Sequence, residues 1–177
     1  MADPSVFSPP RQIIRDMQLV DDTWLHVADD APLPEHGDLT VSIARLGHEQ
    51  QRLLAREGKL GLRMGVDQDP ADAALALLHP DKITLIVIEI TKFSDGRHFS
   101  LARLLRQRLG FTGELRASGD VLPDQLVYMK RCGFNAFALR SDKRPDTALR
   151  LLSSFSLSYQ GSGNTPMPLY RRRLVPR

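Results

Sequence analysis

From Asp38 onward, short runs of branched apolar residues alternate with stretches whose apolar positions recur every three or four residues. This switching between a strand period and a helix period predicts consecutive βα units around a mainly parallel sheet. The predicted strands are Leu39–Ala44, Leu60–Val66, Ile83–Thr91, Glu114–Ala117 and Ala136–Arg140. Their starts lie 21 to 31 residues apart, a spacing that suits right-handed crossovers. Ile83 to Ile88 carries branched residues without strict alternation, as in a strand covered on both faces, and is expected at the centre of the sheet.

Four helical segments are expected between these strands and a fifth after the last. In one of them Leu101, Leu104, Leu105 and Leu109 form an apolar stripe opposite Arg103, Arg106 and Arg108, with Ser100 as N-cap and Gly110 as stop. Pro123-Asp124 and Pro145-Asp146 open the next two, and Gly133 ends the first of these. Ahead of the βα units, Ile13-Ile14, Leu19-Val20 and Trp24 to Val27 read as an N-terminal β-hairpin or edge strands capping the sheet. The reading is therefore a single α/β domain over residues 12–160, after a flexible arm at 1–11 and before a C-terminal tail at 161–177. About five βα units are too few for a closed eight-unit barrel. A partial barrel-like arc and an open doubly wound sheet both remain open.

Composition narrows the chemistry. With 177 residues, 42% apolar and 25% charged, the chain fits a globular domain and excludes fibrous and disulfide-stapled classes. The net charge of +3 depends on four arginines in the last seven residues; without them 20 basic residues face 21 acidic ones, giving −1. A basic nucleic-acid-binding face is therefore not expected. The final LVPR matches the upstream half of a thrombin site and is set aside. No apolar run approaches the roughly 20 residues of a membrane span, and MADPSVFSPP lacks the basic and apolar regions of a secretory signal. A cytoplasmic location is expected.

In parallel α/β folds ligands bind beyond the carboxyl ends of the strands. Near those predicted ends stand Arg45, Arg63, Arg116 and Arg140, with Lys92 and Arg97 after the third strand. Such a set could hold a phosphate, a sulfur oxyanion or a carboxylate. The competing reading is that each arginine pairs with a nearby acid such as Asp67, Asp95, Asp120 or Asp142. If Arg116 serves a ligand, reversing its charge should weaken anion binding without unfolding the domain. The anion or ligand candidates are accordingly Arg63, Lys92, Asp95, Arg97, Arg116, Asp120 and Arg140, and no catalytic residue is assigned. The segment Thr91 to Ser100 is the favoured functional loop, with Gly96 as a tight turn and a helix N-terminus open to an anion. Asp95 and Asp120 could act as a carboxylate pair or as turn caps, and His98 as an acid or base or as a structural residue. The lone Cys132 reads as a small core residue. No zinc spacing, nucleophile elbow, P-loop or dinucleotide fingerprint is present, so no motif indicates zinc, an iron-sulfur cluster, NAD or flavin.

The motif FSDGRHFSLARLLRQRLGFTGELRASGDVLPDQLVYMKRCGFNAFALR, residues 93–140, closely resembles a bacterial family, domain of unknown function family 934. DDTWLHVADDAPLP, GKLGLRM, FSLSYQ and PLYRRR extend the resemblance from about Leu19 to Arg173. Members are typically encoded beside sulfite reductase and are described as oxidoreductases of sulfite reduction. The resemblance thus implies an accessory or electron-transfer role in sulfate assimilation and cysteine biosynthesis. The sulfite reductase haemoprotein would be the partner, docked on the basic helix face or near Tyr159-Gln160. It supplies no catalytic residues. A small-anion or nucleotide-binding enzyme or sensor and a non-catalytic assembly factor are the alternatives, and exposed sheet edges leave room for a homo-oligomer.

Overall fold

The structure, a computed structural model, describes residues 6–7, 12–74, 78–154, 159–161 and 167–172. It is a mixed α/β fold whose mostly parallel sheet curls into a half-barrel. Five strands fall where the sequence pattern places them: β5 (Leu39–Ser42), β6 (Leu60–Gly65), β7 (Ile83–Ile90), β8 (Glu114–Gly119) and β9 (Ala136–Phe137). Four more come from the N-terminal segment: β1 (Val6–Phe7), β2 (Gln12–Arg15), β3 (Gln18–Asp21) and β4 (Leu25–Val27). Val6–Phe7 falls inside the stretch expected to be an arm, yet it pairs antiparallel with β4.

The sheet order is β1-β4-β5-β6-β7-β8-β9-β2-β3. From β4 to β9 neighbours in sequence are neighbours in space, with every pair parallel. A doubly wound sheet requires a point where the order reverses, and none occurs here. The open doubly wound alternative is therefore replaced by the arc. The N-terminal reading needs a second correction. β2 and β3 do form the expected hairpin, turning at Asp16 and Met17, both at positive φ, and they cap β9. The run Trp24–Val27 does not stay with them, because β4 pairs with β5 on the opposite side of the sheet.

That separation explains the curl. β3 and β4 stand seven places apart, about 34 Å along a flat sheet at ~4.8 Å per strand. The chain from Asp21 to Leu25 spans at most about 14 Å. Only a curled sheet brings the two sides within reach, so the Asp22-Thr23-Trp24 crossover runs inside the arc. Trp24 there forms a small buried cluster with Leu85 and Val87 of β7.

The main core lies on the convex side. Leu39, Val41, Leu62, Met64, Ile86 and Ile88 supply the sheet's share. Against them pack α1 (Ile43–Ala55), α2 (Arg97–Gln107), α3 (Leu126–Cys132) and α4 (Pro145–Ser153), burying Leu46, Leu53, Leu101, Leu105, Met129 and Leu152. A short α5 (Leu169–Arg172) follows. Ser42 ends β5 and caps α1 by accepting the Arg45 N–H at 3.0 Å. Helix α2 begins at Arg97, with Gly96 rather than Ser100 at its cap position. The Asp95 carboxylate accepts the Arg97 N–H at 3.1 Å and takes over the capping role. Gly110 and Gly133 adopt positive φ, as expected of helix stops. The helical segment expected between β6 and β7 begins with a 3-10 turn, Pro70–Ala73, and its residues 75–77 lie outside the described residues. FSLSYQ likewise falls partly outside them.

Candidate functional site

Strand register sorts the inner-face residues into layers. Ser42, Arg63, Val87, Arg116, Ala136 and Arg15 occupy one row across β5, β6, β7, β8, β9 and β2. His26, Thr40, Gly61, Leu85 and Glu114 form the row nearer the strands' amino ends. Gly65, Glu89 and Ser118 lie toward their carboxyl ends. The arginines that the sequence groups as one converging set therefore have different surroundings.

Arg116 lies beneath the crossover. Its side chain is 1% exposed and that of Asp22 is 0% exposed. Its Nη1 donates to both Asp22 carboxylate oxygens at 2.9 Å, and its Nε donates to Glu114 at 2.7 Å. Glu114 also faces Arg15 at 3.6 Å. Asp22 lies 3.9 Å from His26 Nε2, while His26 Nδ1 is 2.6 Å from the Thr40 hydroxyl. Burial holds the His26 pKa down to about 4; Asp22 opposes that shift, and Arg63 and Arg116 add to it. Arg116 is a buried structural cation, so the expectation that its charge could be reversed with the fold intact does not survive.

The rim beyond β7, β8 and β9 is an ion-pair lattice. Arg97 grips Asp95 with Nη2 at 2.7 Å and Nε at 3.0 Å. These hydrogen bonds bring the Asp95 pKa down to about 2. Arg140 bridges Asp120 at 2.8 Å and Asp142 at 2.7 Å, which raises its own pKa and lowers that of Asp142. Asp120 also accepts the Phe93 N–H at 2.9 Å, the main reason its pKa falls, with Arg140 adding to the effect. Asp95 and Asp120 are thus each held by an arginine and a backbone N–H and do not form a proton-sharing pair. Gly96 has φ −71, so its freedom to adopt a left-handed conformation is not used.

His98 is fully buried beside Phe99 and Phe134, with its Nδ1 bonded to the Asp95 carbonyl. A carbonyl only accepts, so Nδ1 carries the proton and Nε2 is the bare nitrogen. Burial lowers the pKa of His98 and raises that of Cys132, which is 8% exposed. Neither is a solvent-facing reactive group. Arg45, also buried, holds the carbonyls of Ala28 and Ala31 and the Glu49 carboxylate. Lys92 is exposed. Among the described residues no group of three or more His, Cys, Asp or Glu is placed to hold a metal ion.

Beyond β4 to β7 the mouth stays open. A cavity of about 350 Å³ is lined there by Asp29, Ser42, Arg63, Gly65, Gln68 and Glu89, together with Ala28. Of its polar residues the sequence reading singled out only Arg63. A detectable signal existed for Glu89, the one charge at the inward period-two positions 85, 87 and 89. Asp29 and Gln68 are loop residues without a periodic signature.

The sequence model of a family described as bacterial protein of unknown function, DUF934, matches residues 61–170. The chain belongs to the DUF934 family. The match spans β6 to α5 and so includes the rim of ion pairs and the cavity residues Arg63, Gln68 and Glu89 of this DUF934 protein. No curated protein and no solved structure matches the chain. Among the described residues no helix is long and apolar enough to cross a membrane.

Proposed function

We propose that this DUF934 protein is an accessory protein of assimilatory sulfite reduction that docks on the sulfite reductase haemoprotein through the face formed by α2, α3 and the loop after β7. The observation that carries the docking is an exposed aromatic patch with two exposed cations, Lys92 and Arg103, close to it in the chain. Phe93 is 47% and Tyr128 53% exposed. Gln125 donates to the Phe93 carbonyl at 3.0 Å, which brings that loop to the start of α3. Tyr128 packs edge-on against Phe99 of α2, with ring centroids 4.7 Å apart. Exposed Lys92 precedes Phe93 in the chain and exposed Arg103 lies one turn beyond Phe99 on α2, while the Arg97 charge is taken up by Asp95. Arg103 donates to Gln107, a neutral partner, and makes no ion pair among the described residues.

Aromatic residues and arginine are enriched where proteins meet, and such anchors carry most of the binding energy. The complementary surface is acidic with an apolar recess. An electron-transfer role, which the family resemblance implies, needs a redox group other than the buried Cys132 thiol. Its test is the absorption spectrum of the purified protein, where a bound chromophore supports that role. The docking reading is tested by titrating the reductase haemoprotein calorimetrically. Saturable binding, weakened at least tenfold by Tyr128→Asp or Arg103→Glu, supports it; no binding by the wild type, or full binding by both variants, refutes it.

A further inference from the structure

We infer that the cavity at the mouth of β4 to β7 is a binding site for a small zwitterion of the α-amino acid class. The curl of the sheet makes an interior, and the crossover fills its deeper layers with Trp24 and Asp22. The outermost layer, at the carboxyl ends of the strands, is left unfilled, and this is the end where parallel α/β folds bind ligands.

The lining carries both signs of charge on rigid supports. Arg63 is the cationic pole, with its side chain 17% exposed. Its Nη2 donates to the Val27 carbonyl at 2.7 Å, and its Nη1 lies 3.7 Å from Glu89, beyond hydrogen-bond length. Its Nε is buried and has no partner among the described residues. That atom is sealed from solvent, so the donor left for a ligand carboxylate is Nη1, which makes no hydrogen bond to a described residue. Gln68 accepts the Gly65 N–H at 2.8 Å with its carbonyl oxygen, which leaves its amide N–H groups to donate. Glu89, half exposed, and Asp29 supply the anionic pole. Arg45 pins the Ala28 and Ala31 carbonyls on either side of Asp29, so that wall is fixed before any ligand arrives.

A simple oxyanion would meet Glu89 and Asp29 as repulsive neighbours, and a simple amine would meet Arg63. A molecule carrying a carboxylate and an ammonium satisfies both poles. The volume matches: 350 Å³ holds about a dozen water-sized groups at roughly 30 Å³ each. This site is separate from the aromatic face, so its failure leaves the docking reading untouched and the converse also holds.

The test is calorimetric titration of the full chain with the common α-amino acids, each paired with the acid that lacks its amino group. The expected result is saturable one-to-one binding of at least one amino acid, with its deamino counterpart at least tenfold weaker. Arg63→Met should abolish binding, and Glu89→Gln should erase the discrimination between the two compounds. The Glu89 side chain is half exposed and makes no short hydrogen bond among the described residues, so its variant folds and decides the matter even if Arg63→Met does not. Absence of saturable binding by every amino acid overturns the inference. So does equal affinity for parent and deamino compound, or a discrimination that survives Glu89→Gln.

Discussion

Replacing Asp22 with alanine tests the organising contact of the fold. The substitution removes a carboxylate whose side chain is 0% exposed and that takes two hydrogen bonds of 2.9 Å from Arg116, itself 1% exposed. Breaking a buried pair on one side leaves the other charge uncompensated and costs about 3–5 kcal/mol. Glu114 keeps its contacts with Arg116 Nε at 2.7 Å and Nη2 at 2.6 Å, which favours the lower part of that range. Domains of this size hold about 5–15 kcal/mol in all, so Asp22→Ala consumes a large share of the stability. At 2–4 °C per kcal/mol the melting temperature should fall by roughly 6–20 °C. Urea unfolding monitored by circular dichroism reads the loss as a lower midpoint with an unchanged m-value. The triple variant Asp22→Leu/Glu114→Gln/Arg116→Met removes the three charges together and should recover much of the loss, because well-packed neutral replacements of buried ion pairs are often tolerated. A cost below about 1 kcal/mol for Asp22→Ala would refute the crossover as anchor and return Arg116 to the pool of ligand-binding cations.

Two further outcomes follow, one from this interior and one from the end of β8. His26 has a folded pKa of about 4 against 6.5 unfolded, so the unfolded state takes up the proton first as pH falls. Its contribution is intact above pH 6.5 and is lost toward pH 4, amounting to about 2 kcal/mol at pH 5. Asp22, Thr40, Arg63 and Arg116 face it; His26→Gln should flatten that part of the curve, and a wild-type-to-variant difference identical at pH 7.5 and 5 would contradict the assignment. Gly119 has φ +99, and a Cβ there would lie 2.3 Å from the Ile90 carbonyl oxygen, which already accepts the Asp120 N–H. Gly119→Ala should cost at least about 1–3 kcal/mol from backbone strain alone, and a thermal melt within a degree of wild type would exclude the strain.

What the sequence made legible is what short-range periodicity encodes. Ile83 to Ile88 predicts a central strand, and β7 lies inside the sheet between β6 and β8. Leu101 and Leu105 predict the buried face of α2, and Gly110 and Gly133 its stop and that of α3. Pairs close in the chain were legible too, since Asp95 with Arg97 and Arg140 with Asp142 are two residues apart. The Ser100 cap was misplaced because Asp95, just ahead of the helix, caps it through the Arg97 N–H. Asp22 and Arg116 are 94 residues apart, and no local pattern announces such a pair.

The position of β4 is the deepest of these differences and controls the rest. A hydrophobic run after a hairpin reads as a third strand of the same ribbon, because neighbouring strands in sequence usually pair. Here Trp24 finds its apolar partners on β7 and Asp22 its cation on β8, both across the inside of the arc. These contacts draw the chain through the interior to the opposite side of the sheet. Once it lies there, the fate of an inner-face residue depends on whether the crossover lies over its strand. Arg116 falls under it and becomes structural. Arg63 shares Arg116's row but lies two strands away, with Val87 between them, and keeps donors facing an open cavity. Sequence alone places both arginines near strand ends; the register and the three-residue crossover separate the one that holds the fold from the one that can hold a ligand.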